Sequence, residues 1–317
     1  FPLMPPSLPW LALKIRWFPI GKAPLPENFD FGTMGTIMKI IKFPAEMQMA
    51  ADALRSKASP LGLVPTMGAF HDGHISLIKR AAKECAAVVV SIFVNPTQFG
   101  PNEDFDFYPR SLDPDLKICK DQNVAAVYAP SAEAMFEKGF DTWVEVPSLA
   151  AGLCGANRPG HFRGVATVVA KLISICRPER VYLGEKDYQQ LVLIRRMVLD
   201  LNLGVNVIGC STVREKDGLA MSSRNANLGE NERNRALSIS RGLYKAQDLF
   251  VAGEREVSEF KKVVRKELEK AKAEINYIEV IDPDTLEQLE VALDSSRMVI
   301  AAKVGEIRLI DNLPLKE

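Results

Sequence analysis

The stretch from Leu61 to Glu84 constrains the fold most, because its character changes twice over a short length. Leu61-Gly62-Leu63-Val64 is an apolar run typical of a buried strand. A polar, glycine-containing turn, Pro65–His74, follows it, and from Ile75 onward apolar residues recur at helical spacing. This order predicts a helix whose first N–H groups and positive dipole end face an anion, for which phosphate is the obvious candidate.

Two of the three histidines of the chain, His71 and His74, lie in this turn on either side of Asp72 and Gly73. Gly73 has no Cβ and would let the backbone approach a ligand closely. The pattern is that of a nucleotide site in outline. On these residues alone, a surface turn and half of a metal site both stay open, because short motifs also recur by chance.

Composition limits the class of protein. The chain has 317 residues, of which 25% are charged and 47% hydrophobic, so it is long enough for two globular domains. Its formal net charge of zero offers no electrostatic reason to expect a nucleic acid or a membrane as partner, and no apolar stretch has transmembrane length. Five scattered cysteines without a Cys-x-x-Cys pair predict a reduced, cytoplasmic protein.

Residues 1–33 differ from the rest, with seven prolines and no helical or strand periodicity. A targeting segment is one interpretation, but the segment lacks the continuous apolar core and cleavage site of a secretory signal and the serine content of a transit peptide. We favour a disordered or non-native extension. A chain that starts at Met34 or Met38 is then expected to fold and work normally.

From Ile37 onward, short apolar strands alternate with amphipathic helices. The predicted strands are Ile37–Lys42, Leu61–Val64, Ala87–Val94, Val124–Ala129, Trp143–Val146, Arg180–Leu183 and Val205–Cys210. The predicted helices are Ala45–Lys57, Ile75–Glu84, Leu112–Asp121, Val165–Cys176 and Tyr188–Leu201. This alternation predicts an α/β fold with a parallel sheet covered on both faces, which binds ligands at the carboxyl ends of its strands.

The last third of the chain changes to two charged helices and a group of strands, a pattern typical of a smaller α+β domain. The helices are Glu230–Val251 and Val257–Ala273, and the strands are Ile275–Val280, Met298–Lys303 and Ile307–Ile310. We therefore expect one domain at 34–212 and a second at 213–317.

Polar clusters follow the predicted strands. Asn95 and Gln98 lie in Val94–Gly100, and their amides suit a hydroxyl-bearing ligand, although a proline turn that bonds its own backbone would look the same. The loop 157–164 contains Arg158 and the third histidine, His161. It could bind a carboxylate or phosphate, or only cap the next helix.

Two further clusters suit a triphosphate. Gly184–Gln190 presents Lys186, a compact cation, beside Asp187, which could cap the helix or orient a ribose or metal. Lys216–Asn225 is a polar, glycine-containing loop with two hydroxyls and an arginine that can close over phosphates.

Together with Tyr108-Pro109-Arg110, these stretches closely resemble the pantothenate synthetase (pantoate–β-alanine ligase) family, from about Met38 to the C-terminus. The resemblance implies a Rossmann-like ATP/pantoate-binding domain of the HxGH nucleotidyltransferase type at 34–212, a C-terminal lid domain at 213–317, and a homodimer. It also implies a reaction in which ATP, (R)-pantoate and β-alanine give (R)-pantothenate, AMP and pyrophosphate through an enzyme-bound pantoyl adenylate, in pantothenate and coenzyme A biosynthesis. The prefix of 33 residues is the only large departure, and it leaves the localisation in doubt rather than the activity.

The same resemblance implies the roles of individual residues. It makes His74 the acid and assigns pantoate to Gln98 and Gln190, with Gln98 also near β-alanine, while Asn95 and Arg158 complete the expected substrate set. The implied ATP contacts are Met67, Gly68, Ala69, Phe70, His71, Asp72, Gly73, His74, Gly184, Glu185, Lys186, Asp187, Val213, Met221, Ser222, Ser223 and Arg224.

Negative charge builds up on the bridging oxygen as pyrophosphate leaves, and cations or N–H donors aimed at that oxygen lower the barrier. We expect His71, His74, Lys186 and Arg224 to do this. Mg²⁺ is expected to be held mainly by the phosphates, without a dedicated protein metal site, because the sequence shows no dense carboxylate cluster.

Two rival classes share part of this pattern. A cytidylyltransferase would have the first turn but no need of paired glutamines at 98 and 190. A non-catalytic nucleotide-binding protein would not need Lys186, Ser222, Ser223 and Arg224 together. Pyrophosphate release from ATP with each candidate substrate separates the three.

Overall fold

A parallel sheet forms the larger part of the fold. The computed structural model describes residues 38–316 apart from 102, 104 and 111. Within those residues the sheet has six strands, in the spatial order β1-β4-β3-β2-β5-β6, and all neighbours are parallel. The strands are β1 (Lys39–Ile41), β2 (Leu61–Thr66), β3 (Ala87–Ile92), β4 (Ala126–Tyr128), β5 (Arg180–Gly184) and β6 (Asn206–Cys210).

Helices cover both faces of this sheet, because successive side chains of its apolar strands point to opposite sides. Val64 of β2 and Val90 of β3 belong to a core shared with α2 and α3, whereas α1 and α7 pack together on the other face. The helices are α1 (Pro44–Lys57), α2 (Asp72–Glu84), α3 (Leu112–Asp121), α4 (Ala132–Met135), α5 (Pro147–Ala150), α6 (Cys154–Asn157), α7 (His161–Cys176) and α8 (Tyr188–Asp200).

The strand order reverses at β2. The chain runs from β2 to β3 and β4 on one side, then returns to place β5 and β6 on the other side of β2. Loops that leave the carboxyl ends of β2 and β5 therefore diverge and open a crevice, which is the usual ligand position in such sheets. The predicted α/β fold is confirmed.

The C-terminal lobe, defined here as the elements from α9 to β9, packs two helices on an antiparallel sheet of order β7-β8-β9. Apolar residues of both helices and of the sheet form one core. The elements are α9 (Glu230–Val251), α10 (Val257–Lys270), β7 (Glu274–Ile281), β8 (Arg297–Val304) and β9 (Ile307–Pro314). The predicted small α+β arrangement is confirmed, and a domain boundary near residue 212 stays a prediction.

One predicted strand is wrong. Residues 141–146 form no helix or strand, although Trp143–Val146 is apolar enough for one. The backbone N–H of Val144 donates to Thr167 Oγ1 at 3.0 Å, and the Trp143 ring packs edge-on against Phe140 with centroids 5.5 Å apart. Side-chain contacts thus replace the sheet partners that a strand would need.

Two further sequence expectations concern the N-terminal residues and the absence of a transmembrane segment. The extension at 1–33 and the first residue of the strand expected at Ile37–Lys42 lie outside the described residues. Among the described helices, none is long and apolar enough to cross a membrane.

Candidate active site

The predicted clusters meet at the carboxyl edge of the parallel sheet. The turn 67–71 follows β2, the 3-10 turn Pro96–Gln98 follows β3, the 3-10 turn Glu185–Asp187 follows β5, and the loop 211–222 follows β6. Two adjoining cavities of about 240 and 350 Å³ lie between them. The smaller, the turn-side cavity, is lined by His71 and His74, whereas the larger, the lobe-side cavity, is lined by β9.

His71 and His74 cap the first turn of α2. The Nδ1 atom of His71 accepts the backbone N–H of Gly73 at 3.1 Å, and the Nδ1 atom of His74 accepts the backbone N–H of His71 at 3.4 Å. An imidazole that accepts at Nδ1 carries its proton on Nε2 when it is neutral. One N–H of the first helical turn and the N–H of the N-cap residue are thus bonded to imidazoles, and each imidazole has an Nε2–H donor of its own.

Both imidazoles are neutral at pH 7. Burial, and to a smaller extent the adjacent His71 ring, lowers the pKa of His74 to about 3. Burial and the Lys186 cation lower the pKa of His71. The ring centroids are 4.1 Å apart, so two positive charges would repel strongly there. In this state His74 is a hydrogen-bond donor rather than a charged acid.

The missing side chain of Gly73 leaves room for the His71 ring, in addition to the close approach of a ligand that the sequence indicates. A Cβ at this position would lie 2.8 Å from ring atoms of His71. Any larger residue would therefore displace the capping imidazole, and the absence of a side chain serves His71 as well as the approach of a ligand.

Asp115, which sequence reasoning missed, holds the backbone of the turn. This buried side chain of α3 accepts the N–H of Ala69 at 2.8 Å and the N–H of Phe70 at 2.9 Å. Gly68 and Ala69 both have left-handed φ values, +86° and +53°, and an alanine there is strained. The two charge-assisted bonds stabilise that conformation.

Lys186 and Asp187 occupy the 3-10 turn after β5 and line both cavities. The Nζ atom of Lys186 lies 3.9 Å from Asp187 Oδ1, and the lysine side chain is 20% exposed. This ammonium is therefore partly shielded from water, at the border between the two cavities.

The loop before α9 closes the same cleft from the other side. The Ser223 hydroxyl donates to the carbonyl of Ala69 at 3.3 Å, and Ser222 Oγ accepts the backbone N–H of Arg224 at 3.3 Å. This docks the loop on the turn after β2, so the two predicted phosphate-binding segments are in direct contact.

Gln98 is held by its neighbours. Its Oε1 accepts from Asn95 Nδ2 at 3.0 Å, and its Nε2 donates to Met67 Sδ at 3.2 Å. Asn95 is 1% exposed and uses its remaining polar positions on Gly164 O and on Thr97. Gln190 lines both cavities directly.

Arg158, expected to bind substrate, is engaged within the protein. Its guanidinium donates to both carboxylate oxygens of Glu103, each at 2.6 Å, and its Nη1 lies 3.0 Å from His161 Nε2. His161 Nδ1 lies 2.8 Å from the carbonyl of Gln98. Since the carbonyl only accepts, His161 donates from Nδ1 and accepts from Arg158 at Nε2, and burial beside Arg158 lowers its pKa to about 4.

The structure brings most of the expected site residues to the two cavities. Those that line at least one cavity are Met67, His71, Gly73, His74, Asn95, Gln98, Arg158, Gly184, Lys186, Asp187, Gln190, Val213, Met221, Ser222, Ser223 and Arg224. Gly68, Ala69, Phe70, Asp72 and Glu185 are not among the lining residues.

Comparison with known proteins identifies relatives over almost the whole described chain. A family model described as pantoate-beta-alanine ligase matches residues 39–314. The pantothenate synthetase of Sulfurihydrogenibium sp. (strain YO3AOP1) is 49% identical over 278 residues, which cover 87% of this chain and 99% of that protein. The pantothenate synthetase of Thermotoga petrophila is also 49% identical, over 276 residues, with the same coverage of each chain.

Solved structures give the same result. The pantothenate synthetase of Thermus thermophilus superposes with a TM-score of 0.84 at 41% identity, over 88% of this chain and all of that chain. The pantoate-beta-alanine ligase of Francisella tularensis, solved with beta-gamma ATP and beta-alanine, has a TM-score of 0.72 at 35% identity, over 88% of this chain and 98% of that one.

Proposed function

The chain belongs to the pantoate–β-alanine ligase family, and we propose that its cleft makes the amide bond in two steps, with a pantoyl adenylate held between them. It is an ATP-using ligase that forms pantothenate from pantoate and β-alanine. One observation carries the two-step proposal. His71, His74 and Lys186, each of which can donate a hydrogen bond, line the same cavity as Gln98 and Gln190.

In the first step, a carboxylate oxygen of pantoate attacks the α-phosphorus of ATP, and the bond from that phosphorus to the bridging oxygen breaks. Pyrophosphate takes the electron pair of the broken bond. Donors that are already oriented toward the developing charge lower the barrier without reorganising. We assign this role to the Nε2–H groups of His71 and His74, to Lys186 and to Arg224.

In the second step, the amine of β-alanine attacks the carbonyl carbon of the adenylate, AMP leaves with the electron pair of the C–O bond, and the nitrogen loses a proton to solvent. No covalent carrier is needed. Correct alignment of reactants can supply about 7–11 kcal/mol of a barrier. Cys154, which lines the lobe-side cavity, has its Sγ 3.1 Å from the Tyr277 hydroxyl, and this supports a structural role for the thiol.

Gln98 and Gln190 are the proposed pantoate contacts, because both residues line the turn-side cavity. Asn95 and Arg158 act on the substrate through Gln98: Asn95 fixes its side chain, and the Arg158–His161 pair holds its carbonyl.

Mg²⁺ is a proposed companion of ATP and supplies neutralising charge to the phosphates. Mg²⁺ typically needs only one or two carboxylates besides phosphate oxygens and water. Asp187, which lines both cavities and has a side chain that is 49% exposed, fits that requirement. Among the described residues no group of three or more metal-ligating side chains forms a protein metal site.

Three finer statements complete the proposal. We expect a homodimer, a cytoplasmic location, and a lid domain that starts near residue 213. The location is supported by the five cysteines, all of which are free thiols.

The proposal is tested by leaving out the last substrate. Enzyme, Mg-ATP and pantoate without β-alanine should release about one pyrophosphate per active site, because the adenylate stays bound and blocks turnover. Adding β-alanine should then yield pantothenate and AMP. Pyrophosphate release that requires β-alanine from the start would contradict the two-step order.

A further inference from the structure

The C-terminal lobe contacts the Lys186 turn through the side chain of Asn312 of β9. Its Nδ2 donates to the carbonyls of both Glu185 and Lys186, each at 2.9 Å. Asn312 is 4% exposed, so water competes little for these bonds. The turn has three residues, and two of its carbonyls are thus fixed by the other lobe.

Arg297 of β8 determines which way this amide points. Its Nη1 donates to Asn312 Oδ1 at 2.5 Å, so the two Asn312 Nδ2 hydrogens are directed at the turn. Its Nη2 donates to Glu185 Oε2 at 3.2 Å, and its guanidinium stacks 4.0 Å from the centroid of the Tyr188 ring. Arg297 therefore holds both Asn312 and the two residues that flank Lys186 and Asp187.

Asp311, the residue before Asn312, connects β9 to the loop 211–222, the second segment proposed to bind phosphate. Asp311 points to the opposite face of β9 and pairs with both Nη atoms of Arg214, at 2.6 and 3.1 Å. Arg214 in turn donates to the carbonyl of Gly218 in the loop before Ser222. Two consecutive residues of one strand thus connect the C-terminal lobe to both segments that carry the proposed phosphate donors.

We propose that Asn312 is a positioning residue for Lys186, so that the C-terminal lobe sets the place of the cation that meets the leaving pyrophosphate. The inference rests on the function proposed above. Fixing the carbonyls of Glu185 and Lys186 fixes the peptide planes on both sides of the Lys186 Cα, and hence the origin and direction of its side chain. A displacement of about 1 Å at such a group can cost about 100-fold in rate.

The test replaces the amide with its isostere. Asn312→Asp keeps the size but cannot donate to the two carbonyls, and Asn312→Ala removes the group. Gln247→Ala is the matched control: its Nε2 donates to the carbonyl of Pro314, also on β9, at 2.9 Å, and it loses an amide-to-carbonyl bond of the same kind away from the cleft. Steady-state pyrophosphate release with ATP, pantoate and β-alanine is measured for each variant, alone and combined with Lys186→Ala.

We expect both Asn312 variants to lower kcat about tenfold or more while KM for pantoate changes less than about twofold, and Gln247→Ala to keep the wild-type kcat. In the Lys186→Ala background the Asn312 substitutions should have almost no further effect on kcat, because residues that act through one group are not additive.

Three results would overturn the inference: wild-type kcat in both Asn312 variants, an equal loss with and without Lys186, or loss of cooperative folding in both variants but not in Gln247→Ala. Wild-type enzyme that releases no pyrophosphate from ATP and pantoate would instead refute the proposed function, before any variant is compared.

Discussion

At the residue scale, the three histidines of the chain share one property: each is held neutral by its surroundings. His71 and His74 accept at Nδ1 from the backbone, and His161 accepts at Nε2 from Arg158. The sequence places two of them in a phosphate turn, but it cannot tell a charged acid from a neutral donor. That distinction depends on burial and on hydrogen bonds to distant residues.

This neutrality predicts a loss of stability in mild acid. The unfolded chain binds a proton at each histidine near pH 6.5, whereas folded His74 and His161 do so only near pH 3 and 4. The two histidines therefore contribute fully to the free energy of unfolding above pH 6.5, and this contribution is lost as the pH falls towards their folded pKa values. At pH 5, each should cost about 2 kcal/mol of unfolding free energy.

Urea unfolding of the ligand-free protein at pH 7 and pH 5 measures this difference. In His161→Gln, the loss between the two pH values should shrink by about 2 kcal/mol relative to wild type, whatever the absolute stability of the variant. An unchanged pH dependence would show that His161 is not held neutral.

Lys186 carries a second prediction at this scale. Lys186→Ala should lower kcat about 100-fold or more, on the order of 3 kcal/mol, because its charge acts on the leaving pyrophosphate. The melting temperature should change little, because its ion-pair partner Asp187, at 3.9 Å, is half exposed. Lys83→Ala, an exposed position in the last turn of α2, is the control and should keep full activity.

At the element scale, the geometry of the turn after β2 depends on α3. Asp115 anchors two consecutive backbone N–H groups of the turn, the first at Ala69, whose φ is left-handed. Asp115→Asn can still accept one of the two bonds but presents Nδ2 to the other N–H. We expect KM for ATP to rise about tenfold or more, as loss of a charge-assisted bond of about 1.5–3 kcal/mol implies.

Asp113→Asn is the matched control, because Asp113 is an exposed carboxylate in the first turn of the same helix. Steady-state kinetics with ATP as the varied substrate decide the point. An Asp115→Asn enzyme with the ATP KM of the control would show that the turn holds its shape unaided.

The same scale shows what the sequence could predict. Periodic apolar patterns predicted the long helices of the parallel-sheet region and its strands, because the spacing of apolar residues reflects which faces of a helix or strand are buried. The strand predicted at Trp143–Val146 was wrong because apolar content alone cannot show whether a neighbouring strand exists. The roles of Asp115 and Asn312 could not be predicted, because an aspartate in a first helical turn and an asparagine in a strand carry no local signal of a distant partner.

At the scale of the whole molecule, the cleft joins residues that are far apart in the chain. His74 of α2, Lys186 after β5 and Asn312 of β9 become neighbours of one cavity system only through the sheet order and the packing of the C-terminal lobe. The family resemblance supplied the residue types and the chemistry. The connections across the cleft, from Asp115, Arg158 and Asn312, required the three-dimensional structure.

The central claim is that the cleft activates pantoate as an acyl adenylate. Pantoate labelled with oxygen-18 in its carboxylate, incubated with enzyme, Mg-ATP and β-alanine, tests it most directly by mass spectrometry of the products. An attack by the carboxylate on the α-phosphorus should leave one labelled oxygen in AMP and the other in the amide carbonyl of pantothenate. Label in inorganic phosphate or ADP, with unlabelled AMP, would mean that the reaction runs through an acyl phosphate and would contradict this account.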